Sequence, residues 1–481
     1  MSAKTDFLKG ILSVGTGNIV LNASGIVVVL LATRYVTAEE LGVYFLVVVV
    51  AGILSSIAGM GIKISLIKHI SETDDVVDKT KIISSTALFY ICTLVLVASI
   101  AVSCNWFLKY MQVHLSYILL FFSLALFEFS NTVLQSLKEF RAIAINNTIN
   151  GVCKVVTLPI FLTVFKLGFT GLLYSAILAS SLPILLQVCR LRSRFRLEDL
   201  LHMDITQVAK VLKFGFPLYL NELYANLYDR GYTILIAAFL SPTAVAYFNI
   251  STRISALVDN IRAVYGSVYL PTILSLLKTG QSRVSELLRL SITMGCLTVL
   301  SAAFFLFLFK DSIIAILFTK KYMLVSTAAV IMLAKSAPSF SGSLMGQTIV
   351  ALGYNKTPFR INLLVTSVTF FGSYFLIRKM GFMGVVYMAI AGDLLGLLLN
   401  WLYLKSKGIN AGLPNLLFVF GSITVLLFAI WLNSVFMGAV SFVLILIALF
   451  YATFRLVNEH YRSIFGAKIP TSGSEGGLTS V

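Results

Sequence analysis

Long apolar stretches, each cut off by a short polar or basic segment, follow one another along the whole chain. Fourteen are long enough to cross the ~30 Å hydrocarbon core of a bilayer as helices. They are residues 11–33, 41–62, 82–104, 116–136, 147–165, 169–189, 214–238, 244–270, 290–309, 324–352, 359–377, 382–404, 413–432 and 438–457. The polar connections are short, the longest being 190–213 and 271–289. The pattern predicts an all-α integral membrane protein with about 14 transmembrane helices.

The pattern also repeats. Leu8-Lys9 and the run ending Val36…Gly42-Val43-Tyr44-Phe45 return as Leu212-Lys213 and the run ending Leu240…Val245-Ala246-Tyr247-Phe248. Lys166-Leu167-Gly168-Phe169-Thr170-Gly171 returns as Lys379-Met380-Gly381-Phe382-Met383-Gly384. These pairs predict two six-helix lobes related by a pseudo-two-fold repeat: 1–189, then, after the 190–213 connection, 214–404. Six is an even number, so both lobes start on the same side and the axis lies along the membrane normal. Two additional helices (405–458) and a polar tail (459–481) follow. A duplicated bundle in lipid is the usual build of an alternating-access transporter, with its site between the halves near the midplane.

Composition agrees. Of 481 residues 58% are hydrophobic and only 12% charged, and mean hydropathy is +0.94. The net charge of +17 sits between apolar stretches, where it holds helix ends at the membrane surface and argues against a nucleic-acid partner. With both termini in the cytoplasm, 24 Lys and Arg fall inside and 8 outside, a clear positive-inside bias. Arg190, Arg192, Arg194 and Arg196 form the strongest inside cluster, suited to anionic lipid headgroups. The five cysteines make no C-x-x-C pair, and the four histidines fall in predicted loops or at helix ends, so no metal site is expected. The first apolar stretch is too long for a cleavable signal and is expected to stay as a span.

Away from the span ends, ten charged residues fall within predicted spans: Lys154, Arg230, Arg253, Arg262, Lys335, Glu128, Glu222, Asp229, Asp259 and Asp393. Facing lipid, ten such charges would cost on the order of 25–35 kcal/mol. Most must therefore face one another or a wet cavity. Glu222, Asn226, Asp229 and Thr233 share one face of the seventh span; the repeat puts Asn18 and Asn22 at matching positions in the first. Both stripes are expected to face a common space. Asp259 and Arg262, three apart, can pair. Lys335 precedes Pro338, where a break in the helix ladder could expose backbone groups. Each charge is either a structural partner or a contact for substrate or coupling ion. The candidate substrate residues are Lys154, Arg230, Arg253, Arg262, Lys335, Asn18, Asn22 and Asn226. The candidate coupling-ion residues are Glu128, Glu222 and Asp229, for a proton or sodium ion, with no cofactor.

Phe7-Leu8-Lys9-Gly10, Leu31-Ala32-Thr33-Arg34-Tyr35-Val36-Thr37-Ala38-Glu39-Glu40-Leu41-Gly42-Val43-Tyr44 and Leu212-Lys213-Phe214-Gly215-Phe216-Pro217-Leu218, in this order, resemble the polysaccharide exporters and O-antigen flippases. These belong to the multidrug/oligosaccharidyl-lipid/polysaccharide exporter superfamily. Leu317-Phe318-Thr319-Lys320-Lys321-Tyr322 agrees, though many relatives carry an acid where Lys321 stands. The resemblance implies a bacterial inner-membrane protein, without a catalytic residue. It would move a polyprenyl-pyrophosphate-linked oligosaccharide to the periplasmic leaflet, with membrane lipids and other polysaccharide-assembly proteins as partners. It also implies that Arg and Lys in the cavity meet the pyrophosphate or acidic sugars. A cation-coupled multidrug antiporter of the same superfamily is the main alternative, but should favour acids in its cavity. A lipid II flippase would be expected to carry an Arg-rich start to its first helices. A membrane polymerase would need a sizeable outer loop, and no outside connection is long enough.

Overall fold

The computed structural model describes residues 3–73, 75–103, 115–192, 204–277, 280–354 and 356–465, with some side chains in α1, α8, α9 and α15 outside the description. Among the described residues there are fifteen α-helices and no strand. They are α1 (Ala3–Tyr35), α2 (Ala38–Gly59), α3 (Ile62–Glu72), α4 (Val76–Ser103), α5 (Leu115–Ser136), α6 (Phe140–Pro159), α7 (Phe169–Arg192), α8 (Ile205–Phe239), α9 (Pro242–Leu277), α10 (Gln281–Phe318), α11 (Val325–Ala351), α12 (Lys356–Met380), α13 (Phe382–Ser406), α14 (Leu413–Trp431) and α15 (Val435–Phe465). All but α3 coincide with a predicted span. The side that holds the start of α1 is called proximal below, the other distal.

The helices overrun the spans. At 38 residues α10 is about 57 Å long, nearly twice the hydrocarbon core. Much of the predicted 271–289 connection is thus the end of α9 and the start of α10, and α15 carries the chain through Phe465 into the predicted tail. The stretch 63–81, expected to be a connection, contains α3, and His69 lies inside that helix. Eleven helices are apolar enough to cross a membrane over their described residues. Helix α11 is not one of them, for it carries Lys335 and Pro338 and yet runs unbroken. It is tolerated because it packs inside α9, α10 and α13, and the bundle, not lipid, surrounds its polar positions.

Packing repeats with the sequence. Helix α2 packs on α4, α5 and α7 as α9 packs on α10, α11 and α13. Helix α6 lies on α7 as α12 lies on α13. The two additional helices lie outside this scheme, against α10. The repeat fails at one place: α1 packs along α6, but its mate α8 touches α12 far less and leans instead on α2, α3 and α4.

This lean joins the lobes at the proximal face. Asp204 caps α8, and hydrogen bonds from the Thr206 hydroxyl and amide hold its carboxyl below the usual carboxylate range. The Asp204 amide donates to Ser85 Oγ at 2.9 Å, and Ser65 Oγ donates to the Val211 carbonyl at 2.6 Å. Phe214 lies under the Lys68 ammonium, 3.8 Å from the ring centre. Gly61 and Gly215 cross so closely that a Cβ on either would overlap the other's carbonyl, and Gly61 has φ +82°. The distal face has a similar crossing, where a Cβ on Gly42 would overlap the carbonyl of Pro242. There Lys321 Nζ donates to the Val36 carbonyl at 2.7 Å, satisfying an end carbonyl of α1.

A side chain at Gly215 should wedge the proximal crossing apart. Overpacking costs about 1–3 kcal/mol, so Gly215→Val in a cysteine-free background should raise labelling of a cysteine at Asn226 from the proximal side by about tenfold. An unchanged labelling rate would show that this crossing does not seal the face.

Candidate functional site

Between the two crossings lies a polar pocket of about 370 Å³. It is lined by Ser56 of α2, Lys63 of α3, Glu128, Asn131 and Thr132 of α5, and Asn226 and Arg230 of α8. Three predicted site residues, Glu128, Asn226 and Arg230, thus come together from both lobes. Lys63 is the addition that sequence reasoning missed. Gly59-Met60-Gly61 ends α2 with two consecutive left-handed residues, which turn the chain and send α3 back under the pocket. Lys63 Nζ then reaches Glu128 Oε2 at 2.6 Å. That helix-ending glycine pair was the available signal.

Arg230 lies across α2 where Gly52 leaves room, since a Cβ at Gly52 would overlap the guanidinium. Its Nη1 is buried and has no hydrogen-bond partner among the described residues. Asn226 and Arg230, four apart, face the first lobe. Tyr224, Tyr228 and Tyr232, also four apart, face the second. Tyr224 bonds to Thr366 and the Asn362 carbonyl, and Tyr232 donates to Thr369 Oγ1 at 2.9 Å. Tyr228 donates to Asp393 Oδ1 at 3.1 Å. This tyrosine stripe, legible in the sequence as a spacing, moors α8 to α12 and α13.

Arg253 of α9 enters the same interface. Its Nη1 is 3.9 Å from where a Cβ on Gly25 of α1 would stand, and its guanidinium is 5.8 Å from the Phe45 ring centre on α2. Lys154 of α6 lies near enough for the two positive charges to act on each other. Protein atoms surround both on nearly every side, yet both keep some accessible surface. Among the described residues neither has an acid within ion-pair distance. Lys335 differs: its Nζ lies 3.2 Å from Asp393 Oδ2. Arg262 donates to Ser339 Oγ at 2.5 Å. The side chain of Asp259, its expected partner, lies outside the described residues, as do those of Glu222 and Asp229.

Depth unites these charges. A π-helical turn, Ile160–Val164, continues α6 to its distal end, and with it Lys154, Arg230, Arg253 and Lys335 each stand nine to eleven residues from the distal end of their helical segment. That is roughly 15 Å, half the hydrocarbon thickness. By contrast, the expected polar stripe of α1 does not turn to a space shared with α8. Asn18 accepts from Asn147 Nδ2 at 2.8 Å, and Asn147 accepts from Asn131 at 3.0 Å. This amide chain ties α1, α6 and α5 within one lobe. Asn22 lies exposed on α1, one turn further on. Arg190 binds Glu139 at 3.1 Å and pins the end of α7 to the start of α6, while Arg194 and Arg196 lie outside the described residues.

The charges therefore sort into two kinds. Lys63–Glu128 and Lys335–Asp393 are neutralised pairs. Lys154, Arg230 and Arg253 have no acidic partner among the described residues. Breaking the Lys335–Asp393 pair from one side should expose the cost of its burial. Asp393→Ala should lower stability by about 3 kcal/mol, and adding Lys335→Met should recover most of it. Thermal unfolding of the purified variants measures this, and equal losses in the single and double variants would contradict a coupled pair.

Residues 7–277 match the family of polysaccharide biosynthesis proteins. None of the curated proteins is a significant match. Among solved structures, the lipid II flippase MurJ in an inward closed conformation superposes with a TM-score of 0.68 at 15% identity, over 93% of this chain and 98% of that one. A MATE transporter in complex with MaL6 gives 0.57 at 14% identity, over 85% and 96%. The Vibrio cholerae MATE transporter VcmN, in mutant form, gives 0.52 at 15%, over 84% and 98%. At such identities the likeness is one of fold. The family match spans more than half the sequence, and the chain belongs to the polysaccharide biosynthesis protein family.

Proposed function

We propose that this protein is a flippase for a lipid-linked oligosaccharide whose headgroup is anionic, with a polyprenyl-pyrophosphate-linked repeat unit as the substrate. One observation carries the reading: three cations with no acidic partner among the described residues, at mid-depth, where the lobes meet. Left facing lipid they would cost about 8–10 kcal/mol together. Water and a passing anion relieve that cost. A pyrophosphate offers several strong acceptors to the guanidinium forks of Arg230 and Arg253 and to the Lys154 ammonium. The polyprenyl tail can stay in the bilayer while the head passes between the lobes.

The energetics favour outward movement from a cytoplasmic proximal face. A head with two negative charges gains about 4–5 kcal/mol per 100 mV of inside-negative potential. Proton or sodium coupling, with Glu128 as the best-placed described acid, would add to this and is not required by the charge argument. The rival reading, a multidrug antiporter, needs acids free to receive a cation. The two cleft acids whose side chains are described, Glu128 and Asp393, are each engaged by a lysine.

The test is genetic and topological. Deleting the gene in a polysaccharide-exporting bacterium should make the lipid-linked unit accumulate on the inner leaflet. Normal surface polysaccharide with new drug sensitivity would overturn the reading in favour of an antiporter. In the same strain, charge reversal at Lys154, Arg230 and Arg253 should abolish complementation for at least two of the three while membrane insertion is retained, measured by fractionation and immunoblot. Full complementation by all three variants would remove the cationic site.

A further inference from the structure

A second cavity lies away from this cleft. It is a groove of about 1090 Å³ between α10, α14 and α15, and it shares no lining residue with the cleft pocket. Its two ends differ in chemistry. Arg289, Thr293, Asn410 and Asn415 form a polar end, while Leu297, Phe418 and Ala448 line an apolar one. A smaller hollow of about 470 Å³ continues the polar end past Lys405 and Trp401.

Depth matches chemistry. Arg289 stands eight residues into the long helix α10, and Asn415 is the third residue of α14, so both lie at the proximal boundary. Leu297 is eight residues deeper, about 12 Å along α10. The polar end is built, not loose. Arg289 Nε donates to the Asn410 carbonyl at 2.8 Å, Asn415 Nδ2 donates to the Arg289 carbonyl at 3.0 Å, and Thr293 Oγ1 donates to Asn415 Oδ1 at 3.1 Å. These bonds hold the guanidinium by one nitrogen and leave its two terminal nitrogens without a protein acceptor among the described residues. Glu286 stands on the same rim without pairing to Arg289, and Lys405 lies 5.0 Å from the Trp401 ring centre. Among the described rim residues, two cations against one acid leave the charge positive.

We propose that this groove holds a resident anionic glycerophospholipid. Its phosphate sits at Arg289 and the neighbouring amide groups, and an acyl chain runs along Leu297, Phe418 and Ala448. A rim that is charged at the membrane boundary and an apolar floor that deepens into the bilayer match a lipid, not a soluble anion. Basic pockets between transmembrane helices at the cytoplasmic boundary take anionic headgroups for this reason. The separation from the cleft disfavours the transported molecule as occupant. The lipid would fasten α14 and α15 to the body, where α14 meets α10 and α11 over little area.

Native mass spectrometry of the full-length protein tests this, with phosphatidylglycerol, phosphatidylethanolamine or undecaprenyl phosphate added to the detergent-purified sample. Phosphatidylglycerol should be retained in preference to phosphatidylethanolamine. Arg289→Ala should weaken its retention about fivefold, the value of one basic contact. Ala448→Trp, which fills the apolar end and leaves the rim intact, should weaken it as well, so the outcome does not hang on one variant's folding. Equal retention of both phospholipids, or retention unchanged by both variants, would overturn the proposal. So would displacement of phosphatidylglycerol by undecaprenyl phosphate at equal concentration, which would give the groove to the transport substrate.

Discussion

A charge placed in hydrocarbon must be compensated, and the arrangement of this bundle follows from how each charge meets that demand. A lysine against an aspartate, as Lys335 against Asp393, is compensated inside the protein and joins α11 to α13. A guanidinium with no acid beside it among the described residues, as Arg230 or Arg253, calls for water or a mobile anion. The two kinds stand at similar depth yet do opposite things. The pairs hold helices in register, and the cations with no acidic partner among the described residues leave positive charge where the lobes meet.

The closures at the two faces rest on a different interaction. At Gly61–Gly215 and at Gly42–Pro242 the lobes meet through backbone atoms that approach because side chains are missing. Such contacts are made of many small dispersion terms. They lack the directional strength of a buried ion pair, so they can be exchanged for hydration at modest cost. Contacts of this sort are tight when made and cheap to break. The departure of α8 from strict repeat symmetry supplies the proximal crossing. Its first half leans on the opposite lobe, while its tyrosine stripe keeps the second half moored to its own.

The fold was legible because lipid leaves little choice. Every backbone polar group must be satisfied within its own segment, so a run of about twenty apolar residues becomes a helix. A series of runs repeated in the same order becomes a second copy of the same packing. Failures came where water, not lipid, sets the rule. Helix α3, the proximal starts of α8 and α10 and the end of α15 all lie beyond the ends of the apolar runs, and apolar length carries no information there. The glycine pair at 59–61 marked the turn but could not say where Lys63 would arrive.

For the site the division is similar. The sequence by itself determined which residues had to be compensated, because the cost of Arg230, Arg253, Lys154 and Lys335 in a span depends only on residue type and depth. Only the tertiary structure decided how. It gave Lys335 to Asp393 and spent Asn18 on the amide chain within one lobe. It brought Lys63 to Glu128, and it left three cations facing each other's lobes. Pairing depends on the rotation and separation of neighbouring helices, set by packing among side chains far apart in the chain, and no periodicity along one helix encodes it.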